Sequence, residues 1–511
     1  MNKIATILFL CFVVCVNGLK ANDLNKKKLA QALTRYDSFE SFYNGVALVE
    51  KEGKEGLIDK SGKEIVPCIY DEIVIFFDKD DVFARVLKDE KYGLINKKTG
   101  KELTPCIYDS MDSEVLGGFI EVRKKGEYGR DKCGFIDITG KEVIPCIYEQ
   151  VGFFQEGFVW VCLYDREEDE WHCTFIDKTG RNIIPFGYDS DDLYPNFSGG
   201  LARLVKEKID KNGERQSKRG FIDKTGKEVI PFIYDYVDTY KGDFSEGFAL
   251  VCKNGKYAYI NKEGKEITPF IYGHHSSSFY NGMAIVHTET ENRYFKDKYG
   301  FINKKGKEVA PLVYDAVDVY RNGIAAVMKQ EDWTGKTKKW GVIDEEGKVV
   351  IPLIYDGIQT SFFEETGMLG VQKDGKWAFV NKNGEEITPF VYSHIGYDFG
   401  DDGLMIVSKW TPCCIIDQTG KEILLPNRYS GTADYFIEGM AYVVRNRKMG
   451  FIDTTGKEVI PCIYDSGYVR YFSDGLALVQ KNGIRGFVDK KGNFIYPGGV
   501  ETAQKLKQAV E

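Results

Sequence analysis

The feature that most constrains this chain is a phrase of the form GFIDKTGKEVIPxIYD, which recurs along almost its whole length. Each copy has a central glycine with a proline five or six residues later, and these prolines account for 12 of the 14 in the chain. Between 36 and 46 residues separate one central glycine from the next. The glycines are Gly62, Gly100, Gly140, Gly180, Gly226, Gly264, Gly306, Gly347, Gly384, Gly420, Gly456 and Gly492. A constant period of this length is typical of a tandem array whose units stack on one another.

The last copy, residues 475–497, predicts the structure of one unit. Leu476 to Lys481 and Arg485 to Asp489 have the composition of β-strands, and Asn482-Gly483 lies between them. Asn-Gly favours a type I′ hairpin turn, because that turn needs positive φ at both central residues. A type I turn ending at Gly492 then leads to a third short strand. Each unit is therefore expected to be an antiparallel meander of three to four strands.

These units predict an all-β chain of β-propeller-like blades, because one small meander cannot bury its own apolar face. Twelve units exceed the four to eight blades of an ordinary propeller. Two six-bladed propellers or an open β-solenoid (a superhelix) are therefore alternatives. The stretch at residues 273–278, which contains His274-His275, is a candidate for a break between two groups of units.

The termini predict an exported protein. Residues 1–18 have a lysine followed by a short apolar run and a small residue, as in a signal peptide, and cleavage as late as residue 21 is compatible with the sequence. Residues 19–41 form an N-terminal segment, 42–497 the repeats and 498–511 a tail. Large residues precede both leader cysteines, so no lipid anchor is expected, and no later run is long enough to span a membrane. The expected location is the periplasm, the cell surface or the medium.

The net charge argues against nucleic acid as a partner. The formal charge at pH 7 is −8, and the calculated pI is about 5.5. A protein that binds phosphate backbones generally presents excess lysine and arginine.

The second strand of several units opens with an aromatic residue and a glycine, as in Tyr92-Gly93, Tyr299-Gly300 and Trp340-Gly341. Together with GFIDKTGKEVIP and IYD, this pattern resembles the WG (or KWG) repeat family over roughly residues 42–497. The resemblance implies a β-repeat module with no established catalytic residues and no cofactor. Only Trp340-Gly341 is a literal WG dipeptide, and cysteine takes the aromatic position in some copies.

An aspartate or asparagine precedes each central turn. These residues are Asp59, Asn96, Asp137, Asp177, Asp223, Asn261, Asn303, Asp344, Asn381, Asp417, Asp453 and Asp489. A calcium site depends on carboxylate charge, whereas a turn needs only a side-chain oxygen that accepts a backbone N–H. The asparagine copies therefore favour turn residues over metal ligands.

The cysteines predict one disulfide and no zinc site. Four of them, Cys68, Cys106, Cys146 and Cys462, follow the repeat proline at a position that other copies fill with phenylalanine or leucine. Such a position is typical of a core side chain. By analogy with the hairpin of the sixth copy, Cys162 and Cys173 should be cross-strand neighbours, and an exported protein permits a disulfide between them. No CxxC spacing supports zinc.

The sequence shows no catalytic or metal-binding motif. The histidines His172, His274, His275, His287 and His394 have no ligand spacing. Adjacent residues such as His274 and His275 would point to opposite faces of a strand. Neither GxSxG nor HExxH occurs.

Five copies carry a longer hairpin between their first two strands. The offset from the valine of the first strand to the Asp or Asn of the second is 10 residues in seven copies and 15 to 18 in the third, fourth, fifth, seventh and eighth. Insertions at one place in a repeat lie on one face of an array and often mark a binding face. The candidate ligand-binding residues on these hairpins are Trp171, Tyr294, Phe295 and Trp333. The alternative is that hairpin tips simply tolerate solvated insertions.

The sequence therefore favours an exported, non-catalytic repeat protein that binds protein or glycan ligands. An enzyme acting on cell-surface polymers, with acids meeting in a propeller channel, is an alternative. A purely structural envelope component is a second.

Overall fold

The computed structural model describes residues 24–75, 82–126, 129–167, 169–184, 195–209, 215–237, 244–288, 297–330, 337–400, 402–409, 413–426, 429–467 and 471–508. The chain divides into two compact units. Unit 1 consists of Met1–Ile107 with Val391–Glu511, and unit 2 is Tyr108–Phe390.

The described residues form 12 antiparallel sheets of three or four strands, one for each repeat. Strands of the first two repeats are β1 (Ser38–Phe39), β2 (Val46–Lys51), β3 (Lys54–Asp59), β4 (Glu64–Tyr70), β5 (Glu72–Ile75), β6 (Phe83–Lys88), β7 (Lys91–Asn96) and β8 (Glu102–Tyr108). Repeats three to five contain β9 (Ser110–Met111), β10 (Phe119–Lys124), β11 (Lys132–Asp137), β12 (Glu142–Tyr148), β13 (Gln150–Val151), β14 (Phe158–Asp165), β15 (Glu170–Asp177), β16 (Phe197–Ser198), β17 (Leu201–Ile209), β18 (Arg215–Asp223) and β19 (Glu228–Tyr234).

Repeats six to nine contain β20 (Tyr236–Val237), β21 (Phe248–Lys253), β22 (Lys256–Asn261), β23 (Met283–His287), β24 (Tyr299–Asn303), β25 (Glu308–Tyr314), β26 (Ala316–Val317), β27 (Ile324–Gln330), β28 (Lys338–Asp344), β29 (Val349–Tyr355), β30 (Gly357–Gln359), β31 (Met368–Lys373) and β32 (Lys376–Asn381). The last three repeats contain β33 (Leu404–Ser408), β34 (Cys413–Asp417), β35 (Glu422–Leu424), β36 (Gly431–Thr432), β37 (Met440–Arg445), β38 (Lys448–Asp453), β39 (Glu458–Asp465), β40 (Leu476–Lys481), β41 (Ile484–Asp489), β42 (Phe494–Tyr496) and β43 (Gly499–Glu501). Three helices accompany them: α1 (residues 24–33), α2 (Phe363–Thr366) and α3 (Ala503–Gln508).

The architecture confirms the expected all-β, propeller-like series of small meanders. In the sixth repeat the turn Asn254-Gly255 has φ values of 52° and 74° and sets Lys253 opposite Lys256, as the Asn-Gly signal predicts.

The Asp or Asn before the central turn acts as a turn residue, as predicted. Oδ1 of Asp59 accepts the backbone N–H groups of Ser61 (2.8 Å) and Lys63 (3.0 Å). Asn261 does the same for the amides two and four residues after it. An amide oxygen serves this purpose as well as a carboxylate does, which explains why asparagine replaces aspartate here.

A β-bulge at the repeat proline requires the glycine at the second position of the aromatic-glycine dipeptide, which reads Arg219-Gly220 in the fifth repeat. In the fifth repeat the register shifts between Arg219 and Phe221, where the facing strand passes through Pro231. A Cβ on Gly220 would lie 2.7 Å from the carbonyl oxygen of Ile230 and 2.9 Å from the Phe232 ring. Any side chain at this glycine would therefore collide with the bulge.

The cysteines Cys68, Cys106, Cys146 and Cys462 are free and half-buried. Cys68, Cys106 and Cys462 pack against apolar clusters, as expected for core side chains. The bulge lays the residue after the proline over the glycine of the facing strand.

Consecutive repeats meet at the central turn. The turn glycine Gly264 has a φ of 75°, and a Cβ there would lie 3.3 Å from the Ile230 side chain in the preceding repeat. Gly347 stands in the same relation to Val309, with the carbonyl oxygen 2.1 Å from the Cβ position. The turn of one repeat therefore packs directly on the outer strand of the repeat before it.

A carboxylate reinforces the contact between repeats. Glu246 has a φ of 51° in the turn before β21, and its Oε2 accepts the N–H of Gly282 (2.9 Å) and pairs with Lys304 (3.0 Å), both in the next repeat. Glu156 contacts the glycine and lysine of the following repeat in the same way, and so does Glu438. We call this set the carboxylate ladder.

The last repeat contacts the first through the same ladder. Oδ2 of Asp474 accepts the N–H of Gly45 at 2.7 Å, and Oδ1 lies 3.1 Å from Nζ of Lys60. Phe39 and Phe487, from the first and last repeats, share one buried cluster and lie 5.3 Å apart between ring centroids. This junction is the one that a propeller makes between its first and last blades.

Helix α1 replaces a strand at this junction. The third strand β42 of the last repeat has only three residues. Helix α1 occupies the position over Gly62, with the Ala32 Cβ 2.5 Å from a Cβ built on that glycine. The Ala30 carbonyl accepts the N–H of Gly498 at 2.8 Å, and Lys26 pairs with Asp489 at 2.6 Å. The helix thus holds the first and last repeats together.

We expect Leu33→Ala to lower the free energy of unfolding by about 2–5 kcal/mol, because Leu33 is fully buried between α1 and the two terminal repeats. The matched control Leu24→Ala, on the same helix with a side chain 53 % exposed, should change it by less than about 0.5 kcal/mol. Thermal unfolding followed by circular dichroism measures both. Equal effects of the two substitutions would contradict a packed helix.

The carboxylate ladder should make stability depend on pH. Burial tends to raise the pKa of Glu246, but the bonds from Lys304 and from Gly282 N–H outweigh it and hold that pKa below its usual range. A carboxylate whose pKa is lowered on folding stabilises the protein above its unfolded pKa, and this contribution is lost as pH falls through the folded pKa. Glu246→Gln should therefore lower Tm near pH 7, and the difference from the parent should vanish in acid. Glu263→Gln, on an exposed turn, is the control and should show no such pH-dependent difference.

Candidate functional site

All five long hairpins lie in unit 2. In the short copies the hairpin ends where Lys51 pairs with Lys54. In the fourth repeat the ladder continues to the pair Asp165–Glu170, and in the fifth to Ile209–Arg215. In these two repeats the insertions therefore extend the two strands of the hairpin beyond the body of the sheet.

On one face of the β14–β15 hairpin, three successive cross-strand pairs lead from the protein core to the surface. Trp160 faces Phe175, Cys162 faces Cys173, and Tyr164 faces Trp171. Residues two apart on a strand share a face, so the three pairs form one row. The first two pairs are buried and belong to the core shared with the fifth repeat, whereas Tyr164 and Trp171 are half-buried. The rings of Tyr164 and Trp171 therefore lie at the outer end of the row, next to two pairs that are packed in the core.

Cys162 and Cys173 are joined by a disulfide in the structure. The bond links the two strands directly below the Tyr164–Trp171 pair. It therefore fixes the register of the hairpin at the point where the ladder leaves the core.

Arg130, from the long hairpin of the third repeat, lies against both rings. Its guanidinium carbon is 4.4 Å from the Tyr164 ring centroid and 5.8 Å from that of Trp171, and the two rings meet edge to face at 5.1 Å. A guanidinium over aromatic faces is an attractive arrangement. We call Arg130, Tyr164 and Trp171 the hairpin cluster.

Charged groups surround the hairpin cluster. The Tyr164 hydroxyl donates to the Asp169 carboxylate, and this bond raises the pKa of Tyr164 above its ordinary value. His172 lies on the other side of the hairpin strand, with Nε2 3.9 Å from Oδ2 of Asp165. Two neighbouring long hairpins therefore bring together two aromatic rings and a cation, with carboxylates beside them.

Only part of the cluster could be found from sequence. Trp171 was predicted, whereas Tyr164 follows from the Cys162–Cys173 register once the row is extended by one pair. No sequence pattern pointed to Arg130, because the sequence does not show which hairpins lie close to each other in the fold. The other candidates, Tyr294, Phe295 and Trp333, lie outside the described residues, as does the segment 1–18.

The histidines depart from expectation. His274 and His275 lie in a turn and not in a strand, and their ring centroids are 3.8 Å apart. His287 stands beside both of them. The alternation expected of a strand does not apply to this pair, because a turn does not alternate its side chains as a strand does.

A cleft of about 380 Å³ lies between α1 and the first and last repeats in unit 1. The aspartates that line this cleft make structural contacts: Asp489 pairs with Lys26, and Asp474 bonds to Gly45 and Lys60. Over the part of the chain that the structure describes, no helix is long and apolar enough to cross a membrane.

The repeats match the pattern described as the WG containing repeat. The matched residues are 34–54, 56–92, 92–128, 134–166, 174–208, 220–257, 257–287, 299–333, 340–377, 377–409 and 449–483. The chain belongs to the WG repeat family. The WG glycine of this family is the residue on which the proline bulge packs in the present structure.

Comparison with curated proteins finds no match for this WG repeat protein. Among solved structures it is similar to a crystal structure of the eukaryotic initiation factor, with 10 % identity over 65 % of this chain and 92 % of that one and a TM-score of 0.35. The AfRom2 CNH domain (10 % identity, 50 % and 92 %, TM-score 0.19) and a putative TolB from Agrobacterium tumefaciens (9 %, 44 % and 75 %, TM-score 0.19) are also similar. Likenesses this weak support no inference about function.

The disulfide can be tested by alkylation without reductant. We expect Cys162 and Cys173 to stay unlabelled in the denatured, unreduced protein, because their sulfurs are bonded to each other. Cys133, which is buried but free, is the internal control and should be labelled after denaturation. Peptide mass spectrometry reads both, and labelled thiols at residues 162 and 173 would rule the bond out.

Proposed function

We propose that this WG repeat protein is an exported, non-catalytic scaffold that binds protein or glycan ligands through the long hairpins of unit 2. The observation that carries the proposal is the hairpin cluster, in which the third and fourth repeats jointly present Arg130, Tyr164 and Trp171. The repeat architecture supports the scaffold part of the proposal.

The chemistry of the cluster suits recognition. Tryptophan, tyrosine and arginine are the residues most enriched among those that dominate binding energy at protein interfaces. Flat aromatic rings offer large contact area at low cost in side-chain entropy, and they can equally stack on sugar rings. Half-buried rings are rigid yet still accessible on one side.

The hairpin is also preorganised. The disulfide and the buried Trp160–Phe175 pair hold its base, so a ligand would not need to order the loop on binding. Affinity is gained when a binding loop is already rigid in its bound conformation.

Export is supported by two features. The N-terminal residues 1–18 have the composition of a signal peptide. A disulfide persists in oxidising compartments and is rare in the cytosol. The negative net charge of −8 is consistent with a ligand other than nucleic acid.

The proposal is tested by screening the purified mature protein, from residue 19 onward, on glycan and envelope-protein arrays. For a ligand found there, Trp171→Ala should weaken binding by about 30-fold, the effect of a typical interface hot spot of about 2 kcal/mol. Trp377→Ala is the matched control, because Trp377 is a half-buried tryptophan on the short hairpin between β31 and β32.

Loss of binding in Trp171→Ala with retention in Trp377→Ala would support the proposal. A ligand that binds both variants as well as the parent would refute the role of the hairpins. Absence of any ligand would favour a purely structural component, with the long hairpins as solvated insertions.

A further inference from the structure

A groove of about 600 Å³ in unit 1 is bordered by α1 and by the central turn of the first repeat. The polar side chains that line it are Lys28, Gln31, Arg35, Ser61 and Lys63. Three of them are cations, and among the described residues no carboxylate lines the groove. The chain as a whole has a formal net charge of −8, so this groove differs in sign from the rest of the molecule. We call it the basic groove.

The guanidinium of Arg35, directly after α1, is fixed at one end of the basic groove. Its Nη2 donates to the carbonyl oxygen of Gly62 at 3.1 Å, and its Nε donates to that of Ala32 at 3.4 Å. A guanidinium has five N–H donors, so these two bonds leave others that can face a ligand. Its planar shape suits the two oxygens of a carboxylate or a phosphate.

The two acids next to this turn in the sequence have other partners. Oδ1 of Asp59 accepts the Ser61 hydroxyl at 2.6 Å and the N–H of Lys63 at 3.0 Å. The carboxylate of Glu64 accepts the Tyr36 hydroxyl at 3.3 Å. Both acids are therefore held by the turn and by the segment after α1, and the basic groove keeps its positive charge.

The basic groove continues into a second basic surface. Ser61 also lines the cleft of about 380 Å³ between α1 and the first and last repeats, so the two recesses meet at this turn. The exposed cations of that cleft are Lys60, Lys490 and Lys491. An extended row of cations suits a chain that carries a charge on successive units better than it suits a single small anion.

We infer that the basic groove binds a segment of an anionic polysaccharide whose charged groups are carboxylates or phosphates. Lys28, Arg35 and Lys63 contact those groups, and the side chains of Gln31 and Ser61 bond to sugar hydroxyls. The site lies in unit 1, whereas the hairpin cluster lies in unit 2, so the inference does not rest on the proposed function.

The packing of α1 favours a polysaccharide over a lipid surface. A helix that lies in a membrane interface needs an exposed apolar face. The apolar face of α1 is instead buried against the terminal repeats, with Leu29 and Leu33 at 1 % and 0 % exposure. A hydroxyl-rich, charged chain requires no apolar contact and fits a groove lined by cations and neutral hydrogen-bonding groups.

The test is binding of fluorescently labelled oligogalacturonate (carboxylates) and phosphomannan (phosphates) to the untagged mature chain, measured by anisotropy. Lys28→Gln/Lys63→Gln should weaken binding by about tenfold, because charge-assisted contacts are lost. It should also reduce the dependence of affinity on salt. Both lysines are exposed, so folding should be retained, and circular dichroism checks this.

The matched control is Lys265→Gln/Lys307→Gln, which removes the same charge from unit 2. Lys265 and Lys307 are exposed and follow the turn glycines of the sixth and seventh repeats, as Lys63 follows Gly62 in the first. This control variant should bind as the parent does, and uncharged maltohexaose should not compete.

A selective loss in Lys28→Gln/Lys63→Gln, with unchanged binding in the control variant, would support the inference. Equal losses in the two variants would show that only overall charge matters and would overturn it. It would equally be overturned if the parent bound neither probe, or if it bound anionic phospholipid vesicles or duplex DNA more tightly than both.

Discussion

The structure depends on one contact, in which the glycine turn of a repeat packs on the outer strand of the repeat before it; among the described turns, Gly180 makes no such contact and Gly62 meets α1 instead. Gly264 on Ile230 and Gly347 on Val309 are two instances, and neither position has room for a side chain without displacement of backbone or core. Because a three- or four-stranded meander cannot bury its own faces, this contact turns weak units into a stable array. The carboxylate ladder adds a polar connection beside the same turn, since Lys304 lies two residues before the turn glycine Gly306.

The same contact explains the terminal helix and the use of the long hairpins. Where the last repeat lacks a full outer strand, α1 occupies the place over Gly62 and supplies the missing surface. Most contacts between repeats use the turns and outer strands, so the hairpin tips are left for other contacts, such as that of Arg130 with Tyr164 and Trp171. Those tips are therefore where length and composition can vary, and in unit 2 they are braced by a disulfide beneath Tyr164 and Trp171.

Local features of the fold could be predicted from sequence, and long-range ones could not. The hairpins, the turn role of residues such as Asp59 and the Cys162–Cys173 register follow from backbone geometry that a few residues determine. The contact of Arg130 with Trp171 depends on how two repeats stack, which no local pattern encodes. The stacking of His274 on His275 could not be predicted, because it depends on the turn conformation that the chain adopts there.

The central claim is that the last repeat contacts the first as consecutive repeats contact each other. A zero-length carbodiimide cross-linker tests it directly, since it joins a lysine to a carboxylate only when the two are in contact. Within monomeric protein, the account predicts a cross-link between Lys60 and Asp474, whose charged atoms are 3.1 Å apart. Its yield should resemble that of the internal equivalents Lys304–Glu246 and Lys490–Glu438, which are both 3.0 Å apart. Cross-links at the internal pairs without one between Lys60 and Asp474 would contradict the account.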